Sequence, residues 1–395
     1  MLKRKGPTPN PLSISNQGAR QTFYIKEDLI RRLDALNTIN PTLSKSLVVN
    51  EALGEYLDKL QIPSDERIKI VSLFSGCGGM DLGFRGNFTY LGNKYEDLGF
   101  DIVFANDIFK EACLTYERYF EHYPVTQDIK EYLDFGGQIP KCHLVIGGFP
   151  CQDFSVSGKR KGLNSERGRL YEQMKRVIEI AKPCIFIAEN VKGLTNMGDV
   201  LEKIKNDFSQ LSPEYEIDHF LLMAADFGVP QTRERVFIVG TRKDLKVSFY
   251  PPTPTHAADQ YDSRKPWVTA KQAIDDLWGL ETTDKIPNQN QFSKARNYGE
   301  HLQGNKPIKP DFPSPTIRAE HHGNIEFHYN NSRRLTVREC ARLQSFPDDF
   351  VFYGSGSRAY VQVGNAVPPV LAWHIAKQVK DYFERLNKKD KYLLI

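Results

Sequence analysis

His143-Leu144-Val145-Ile146-Gly147-Gly148-Phe149-Pro150-Cys151-Gln152-Asp153-Phe154-Ser155 is the stretch from which the fold is read. The apolar run 143–146 reads as a buried strand. Two glycines end it, and Pro150 holds the backbone extended just before a single cysteine. A polar segment and a helical pattern follow. An α/β protein presents a side chain in this way at the carboxyl edge of its sheet, where such folds bind ligands. Two readings of Cys151 compete at this point: a buried packing residue, the usual fate of a free cysteine, or a catalytic thiol. A packing cysteine requires neither the preceding Gly-Gly nor the following Gln, Phe and Ser.

Upstream, Ile68–Phe74 is a second apolar run, followed directly by Ser75-Gly76-Cys77-Gly78-Gly79 and a helical stretch from Met80 to Phe84. Glycines there let the backbone approach a ligand lying across the strand ends. Their spacing is Gly-x-Gly-Gly, not the Gly-x-Gly-x-x-Gly of a pyrophosphate binder. It suits a nucleoside cofactor without phosphates, such as S-adenosylmethionine, although a plain tight turn has the same signature. The next strand, Asp101–Ala105, ends in Asn106-Asp107-Ile108. Asp107 is placed to accept ribose hydroxyls, and Ile108 to cover the adenine face. Arg85–Leu98 reads as a polar inserted loop. Asp128 falls where a third strand should end, as an adenine-amino acceptor or as a helix N-cap.

Downstream, the basic segment 155–169 reads as a lid over a polyanion or as a solvated loop. Ile185–Ala188 is another buried strand, ending in Glu189-Asn190-Val191. A carboxylate emerging from apolar surroundings has its pKa raised, as a general acid near neutral pH requires. Gln231-Thr232-Arg233-Glu234-Arg235 precedes a strand over Val236–Gly240. Its two arginines form a salt bridge with Glu234, or one of them faces a substrate. Strands alternating with helices predict a doubly wound, Rossmann-like parallel sheet.

Composition sets the frame. The chain has 395 residues, a hydrophobic fraction of 40% and a net charge of +4, which permits a nucleic-acid partner without requiring one. No apolar run approaches the roughly 18 residues that cross a bilayer, so a cytoplasmic protein is expected, associated with the nucleoid when on DNA. The six cysteines show no metal spacing, and no metal is expected. Residues 1–18 are rich in Pro, Ser and Asn and read as a disordered tail. Arg20–Ile25 is a short strand, Leu29–Leu36 a helix, and Ser44 the N-cap of a second helix reaching Leu57. This β-α-α unit, 19–62, resembles a ribbon-helix-helix module. In that family two chains pair their strands and read the major groove, which implies a dimer with Arg20, Thr22 and Tyr24 as readers. An amphipathic packing arm is the alternative.

Taken together, Phe74–Gly79, Pro150-Cys151-Gln152, Glu189-Asn190-Val191, Gln231–Arg235, Arg334–Arg342 and Gly364-Asn365-Ala366-Val367 stand in the order found in DNA cytosine-5 methyltransferases. The resemblance extends over 68–380 and is closest to the short enzymes of bacterial restriction-modification systems. It implies a catalytic S-adenosylmethionine-dependent methyltransferase domain (66–240), a smaller irregular target-recognition domain (241–345) and a segment returning to the first domain (346–395). It further implies duplex DNA as substrate and a cognate restriction endonuclease acting on the same site. Cys151 would be the nucleophile, Glu189 the proton donor to N3, Arg235 the ligand of the base carbonyl, and Arg233 a support for the backbone or the Cys151 loop. On the cofactor side, Phe74 would stack near adenine, and Ser75, Gly76, Gly78 and Gly79 line the methionine portion. Asp107 and Ile108 would hold the nucleoside and Asp128 the amino group. Pro150 and Leu170 would close the site, and Asn365 and Val367 meet the methionine end. Ser155 matches a position near the DNA backbone. Two features depart from the pattern: Asp107 stands where many members have Glu, and the 85–98 insertion is not general. RNA-acting members carry Pro-Pro-Cys, and Phe149 occupies the place of that first proline.

Overall fold

The computed structural model describes residues 11–16, 19–24, 27–39, 48–49, 52, 67–149, 170–259, 261–282, 285–294, 306–319, 325–330 and 332–386. They fall into two units, 1–66 and 67–395.

In the first unit, β1 (Pro11–Asn16) and β2 (Ala19–Tyr24) form an antiparallel hairpin with Ser13 opposite Thr22, and α1 (Glu27–Ile39) follows. The strand at 11–16 corrects the expected disordered tail. Leu12 and Ile14 alternate with Ser13 and Ser15 on one side of Gln17-Gly18, and the strand-forming Thr22-Phe23-Tyr24 lies on the other, which is a hairpin pattern. One edge of β2 is therefore paired within the chain, where pairing between chains was expected. Of the expected second helix, residues 48, 49 and 52 are described, all helical.

The second unit is built on a six-stranded sheet. Its elements are β3 (Ile68–Leu73), α2 (Gly79–Arg85), a hairpin of β4 (Phe88–Tyr90) and β5 (Asn93–Tyr95), β6 (Phe100–Asn106), α3 (Lys110–Phe120) and α4 (Ile129–Asp134). Next come β7 (Leu144–Gly147), α5 (Leu170–Ala181), β8 (Ile185–Val191), α6 (Gly198–Ser209), β9 (Tyr215–Met223) and β10 (Glu234–Arg242). The stretch 241–345, expected as the recognition region, contains α7 (Ala270–Ile274) and α8 (Val337–Leu343), and the stretch 346–395, expected to return to the first domain, contains α9 (Gly356–Asn365) and α10 (Pro369–Arg385). The strand order is β6-β3-β7-β8-β10-β9, with the first four parallel and β10 antiparallel to both neighbours. The expected all-parallel sheet is thus mixed at one side. The third strand expected before Asp128 is reduced to a single bridge from Asn106 to Val125.

Strand residues alternate between two cores. Ile70, Leu144, Ile146, Ile185, Ile187, Phe237 and Val239 lie in the core that α2 and α10 cover. Val71, Leu73, Val145, Phe186, Ala188, Val236 and Ile238 lie in the other, which α5 and α6 cover. Period-2 alternation into two buried faces is why these strands read as unbroken apolar runs.

The expected 85–98 loop is an ordered hairpin. Leu91 and Gly92 both have positive φ (44° and 74°), the turn that matches strand twist. Phe88 stacks on Tyr95 at 4.8 Å, Tyr95 meets Trp373 edge-on, and the Tyr90 hydroxyl donates to the Arg342 carbonyl at 2.6 Å. The hairpin therefore props the recognition region's α8 against the catalytic core. The helix expected from Asn365 onward begins only at Pro369 as α10, since another helix, α9, ends at Asn365 and Pro368-Pro369 starts the new one. Thr336 caps α8 in a reciprocal capping box with Glu339, and all seven residues of α8 are buried. The Arg338 guanidinium donates to the carbonyls of Pro287, Pro347 and Phe350 and so ties α8 to the chain on either side of it.

Candidate active site

Four chain segments meet at the carboxyl edge of the sheet. The turn after β3 begins at Phe74, whose φ of 52° swings the chain off the strand, and continues through Gly76 at φ 55°. β7 ends at Gly147, leading to Gly148 and Phe149. β8 carries Glu189 within the strand, which continues past the expected end at Ala188 to Val191. β10 runs back antiparallel to it with Arg235 opposite Val191 and Phe237 opposite Glu189. That register makes Arg235 and Glu189 diagonal neighbours on one face.

Arg235 Nε lies 2.8 Å from Glu189 Oε1, with both side chains 11% exposed. Burial raises the Glu189 carboxyl above its ordinary range against the pull of Arg235 and Arg233. A half-compensated, desolvated carboxyl of this kind can hold a proton and deliver it. Gly148 faces it: a Cβ built there would stand 2.9 Å from Glu189 Oε2. Asn190, a residue without an expected role, donates from Nδ2 to the Phe149 carbonyl at 3.0 Å and thereby fixes the chain entering Pro150. Its signal lay in the Glu-Asn-Val triplet, where an amide after an apolar strand must find a partner.

Arg233 and Arg235 part company. Arg233 is 1% exposed and donates to the carbonyls of Ile317 (2.9 Å), Gly364 (2.8 Å) and Ala366 (3.0 Å). It ties β10 to the recognition region and to the returning segment. The described partners of its guanidinium are backbone carbonyls, and the Cys151 loop lies outside the described residues. Glu234 bridges Lys192 at 2.7 Å, so the expected salt bridge within Arg-Glu-Arg does not form. Gln231 accepts from Ile317 N and donates to the Leu343 carbonyl, which makes the whole motif a junction of segments.

A cleft of about 850 Å³ opens beside this pair, within the size range of small-molecule sites. Phe74, Ser75, Gly76, Gly79, Asp107, Ile108, Asp128, Leu170, Asn365 and Val367 line it, together with Glu189 and Arg235. Asp107 is fixed by Gly76 N and Phe109 N, each at 2.8 Å, which leaves lone pairs on both oxygens for hydroxyl donors. Ile108 is 67% exposed beside it, an apolar surface suited to a flat base. Asp128 is the N-cap of α4, accepting from Lys130 N at 2.7 Å, and it also borders the cleft, so its position fits both expectations. Gly76 has open space around its Cβ position, whereas a Cβ on Gly79 would meet the Val367 carbonyl at 2.5 Å. Gly78 does not line the cleft: with φ 90° it packs under Phe120, where a Cβ would strike the ring at 2.4 Å.

Pro150, Cys151 and Ser155 lie outside the described residues. Arg20, Thr22 and Tyr24 belong to the first unit, on β2. The five described cysteines are all buried, with burial raising their thiols: Cys113 to about 11, Cys142 and Cys184 to about 12, Cys77 and Cys340 higher. None of these five supplies a thiolate at neutral pH.

The profile of the C-5 cytosine-specific DNA methylase family matches residues 68–381. Type II methyltransferase M.NgoFVII of Neisseria gonorrhoeae is 37% identical over 355 residues, covering 83% of this chain and 91% of its own. Type II methyltransferase M.BsuRI of Bacillus subtilis is 35% identical, covering 83% of this chain and 82% of its own. Among solved structures, a prophage-encoded DNA modification methyltransferase from E. coli superposes with a TM-score of 0.57 at 24% identity, over 80% of this chain and all of the other. The S. pombe Dnmt2 methyltransferase does so with 0.54 at 19%, over 81% of this chain and all of the other. At those identities the structural likeness concerns the fold.

Proposed function

The chain belongs to the C-5 cytosine-specific DNA methylase family and is a DNA cytosine-5 methyltransferase using S-adenosyl-L-methionine; from that premise we propose that it modifies one site in duplex DNA through a covalent Cys151 intermediate, as the modification enzyme of a type II restriction-modification system. The buried Glu189–Arg235 pair at the cleft carries this reading.

Carbon 5 of cytosine is a poor nucleophile. Addition of the Cys151 thiolate to carbon 6 converts the ring to an enamine whose carbon 5 is reactive. Glu189 gives its proton to N3, so that no negative charge accumulates on the ring, and Arg235 holds the base carbonyl. Arg233 acts one step removed, by keeping Ile317, Gly364 and Ala366 in place around the cleft. Asp107, Ile108, Asp128 and the Asn365–Val367 segment would hold S-adenosyl-L-methionine, which would supply the methyl group and leave as S-adenosylhomocysteine. Loss of the carbon 5 proton, expulsion of the Cys151 thiolate and return of the N3 proton to Glu189 restore the aromatic ring. Because a stacked base offers none of these atoms, the target cytosine is flipped out of the duplex at a cost of a few kcal/mol.

Transfer of tritiated methyl groups to duplex DNA and to tRNA tests the substrate class. Label in DNA as 5-methylcytosine is expected, and label in tRNA alone would overturn the reading. The first unit, a hairpin and helix separate from the catalytic unit, supports a second role: binding its own promoter through β2, with Arg20, Thr22 and Tyr24 as readers, and so setting the level of the enzyme against its cognate endonuclease.

A further inference from the structure

One cation on the cleft wall has no part in the reaction above. Arg318 follows a stretch clamped to the Gln231–Arg235 motif. Ser314 N donates to the Pro230 carbonyl at 2.9 Å, Thr232 N to the Ser314 carbonyl at 2.8 Å, and Thr316 Oγ1 to the Thr232 carbonyl at 3.1 Å. Gln231 and Arg233 grip Ile317 through its N–H and its carbonyl. Gly364 completes the seat, because a Cβ there would stand 2.2 Å from the Arg318 carbonyl carbon. The backbone at Arg318 is thus fixed, and the residue lines the cleft that Glu189 and Arg235 line.

Among the described residues four arginines line this cleft, and three of them are engaged. Arg235 pairs with Glu189, Arg358 with Glu111 at 3.4 Å, and Arg233 donates to backbone carbonyls. Arg318 is half-buried and, among the described residues, has neither an ion pair nor a side-chain hydrogen bond; Glu326 feels its charge without closing on it. A guanidinium is a planar fork of donors that matches a phosphate through two parallel bonds. A cytosine everted into the cleft brings with it the phosphates on either side of its sugar. The free fork and the incoming anion are complementary.

We propose that Arg318 grips a phosphate flanking the target cytosine and so holds the everted nucleotide in place. It is a positioning residue and takes no part in bond making. This role rests on the target cytosine being everted into this cleft. The clamp on residues 314–317 gives the contact its value, since a fork on a fixed backbone loses little freedom when it closes on its anion.

The test uses duplexes bearing the methylation site, mapped by bisulfite sequencing, with a neutral methylphosphonate on one side or the other of the target cytosine. Their affinity for wild type and R318A is measured by fluorescence anisotropy. At one of the two positions wild type should lose about tenfold or more, the range of one charge-assisted contact, and R318A should lose almost nothing further. On the unmodified duplex R318A should bind about tenfold or more weakly, with a salt slope smaller by about 1. Its affinity for S-adenosylhomocysteine should equal that of wild type. Additive losses from R318A and the methylphosphonate at both positions would show that Arg318 acts through the fold and overturn the proposal. Weaker binding of S-adenosylhomocysteine by R318A would put the guanidinium on the cofactor and overturn it too. If R318A does not fold, a wild type indifferent to both methylphosphonates overturns it equally. A wild type that leaves the unmodified duplex without methyl label would instead overturn the proposed function itself.

Discussion

Glu189 is the side chain on which the proposed chemistry turns. Burial raises its carboxyl above the ordinary range although Arg235 sits 2.8 Å away and opposes the shift, and the mechanism uses the protonated form. The working form is the acid, so activity should be present below its raised pKa and fall as pH rises through it. Glu189→Gln should lower kcat by about 10²- to 10⁴-fold, the usual share of a positioned general acid. Its pH–rate profile should also lose the alkaline limb expected of wild type. A variant with near-normal kcat, or with the same limb, would remove Glu189 from the mechanism. This residue was legible in the sequence because a carboxylate directly after an apolar run bears a desolvation cost that a surface acid avoids. Arg233 was not: nothing in Arg-Glu-Arg tells which guanidinium turns to backbone carbonyls 84 to 133 residues away. Gly78 misled in a related way, since a glycine needed for close packing and one lining a ligand site look identical in a Gly-rich turn.

At the scale of elements, the strands were readable because both sheet faces are buried, and their apolar runs stood out. Pairing direction was not, so the antiparallel β10 and the lost third strand emerged only from the structure. The 85–98 hairpin was masked by the polar residues between its aromatics and around them, although Phe88, Tyr90 and Tyr95 carry its alternation. What unites the elements is a set of buried polar ties, with Arg233 foremost. Arg233→Met leaves the buried carbonyls of Ile317 and Gly364 without their donor, while that of Ala366 keeps Gln344, a loss of roughly 2 kcal/mol or more when each costs about 1 kcal/mol. At about 2 to 4 °C per kcal/mol for a domain of this size, Tm should fall by about 4 to 8 °C. Differential scanning calorimetry checks this, and an unchanged Tm would mean that the junction is held by other contacts.

At the scale of the molecule, the chain is two units, and the site lies wholly in the second. Deletion of residues 1–66 should leave methyl transfer within about twofold of the full chain while abolishing retention of promoter DNA in a gel-shift assay. Loss of catalysis or of folding would assign the first unit to packing. The central claim, that Cys151 bonds to the target base, is tested most directly with a duplex bearing 5-fluorocytosine at the methylation site. Fluorine cannot leave as the proton does, so the thiol is not expelled and the complex is trapped. In the presence of S-adenosyl-L-methionine, wild type should form an adduct that survives denaturing electrophoresis, and Cys151→Ser should form none. Absence of the adduct from a wild type that methylates the unmodified duplex, or its persistence in Cys151→Ser, would contradict the account.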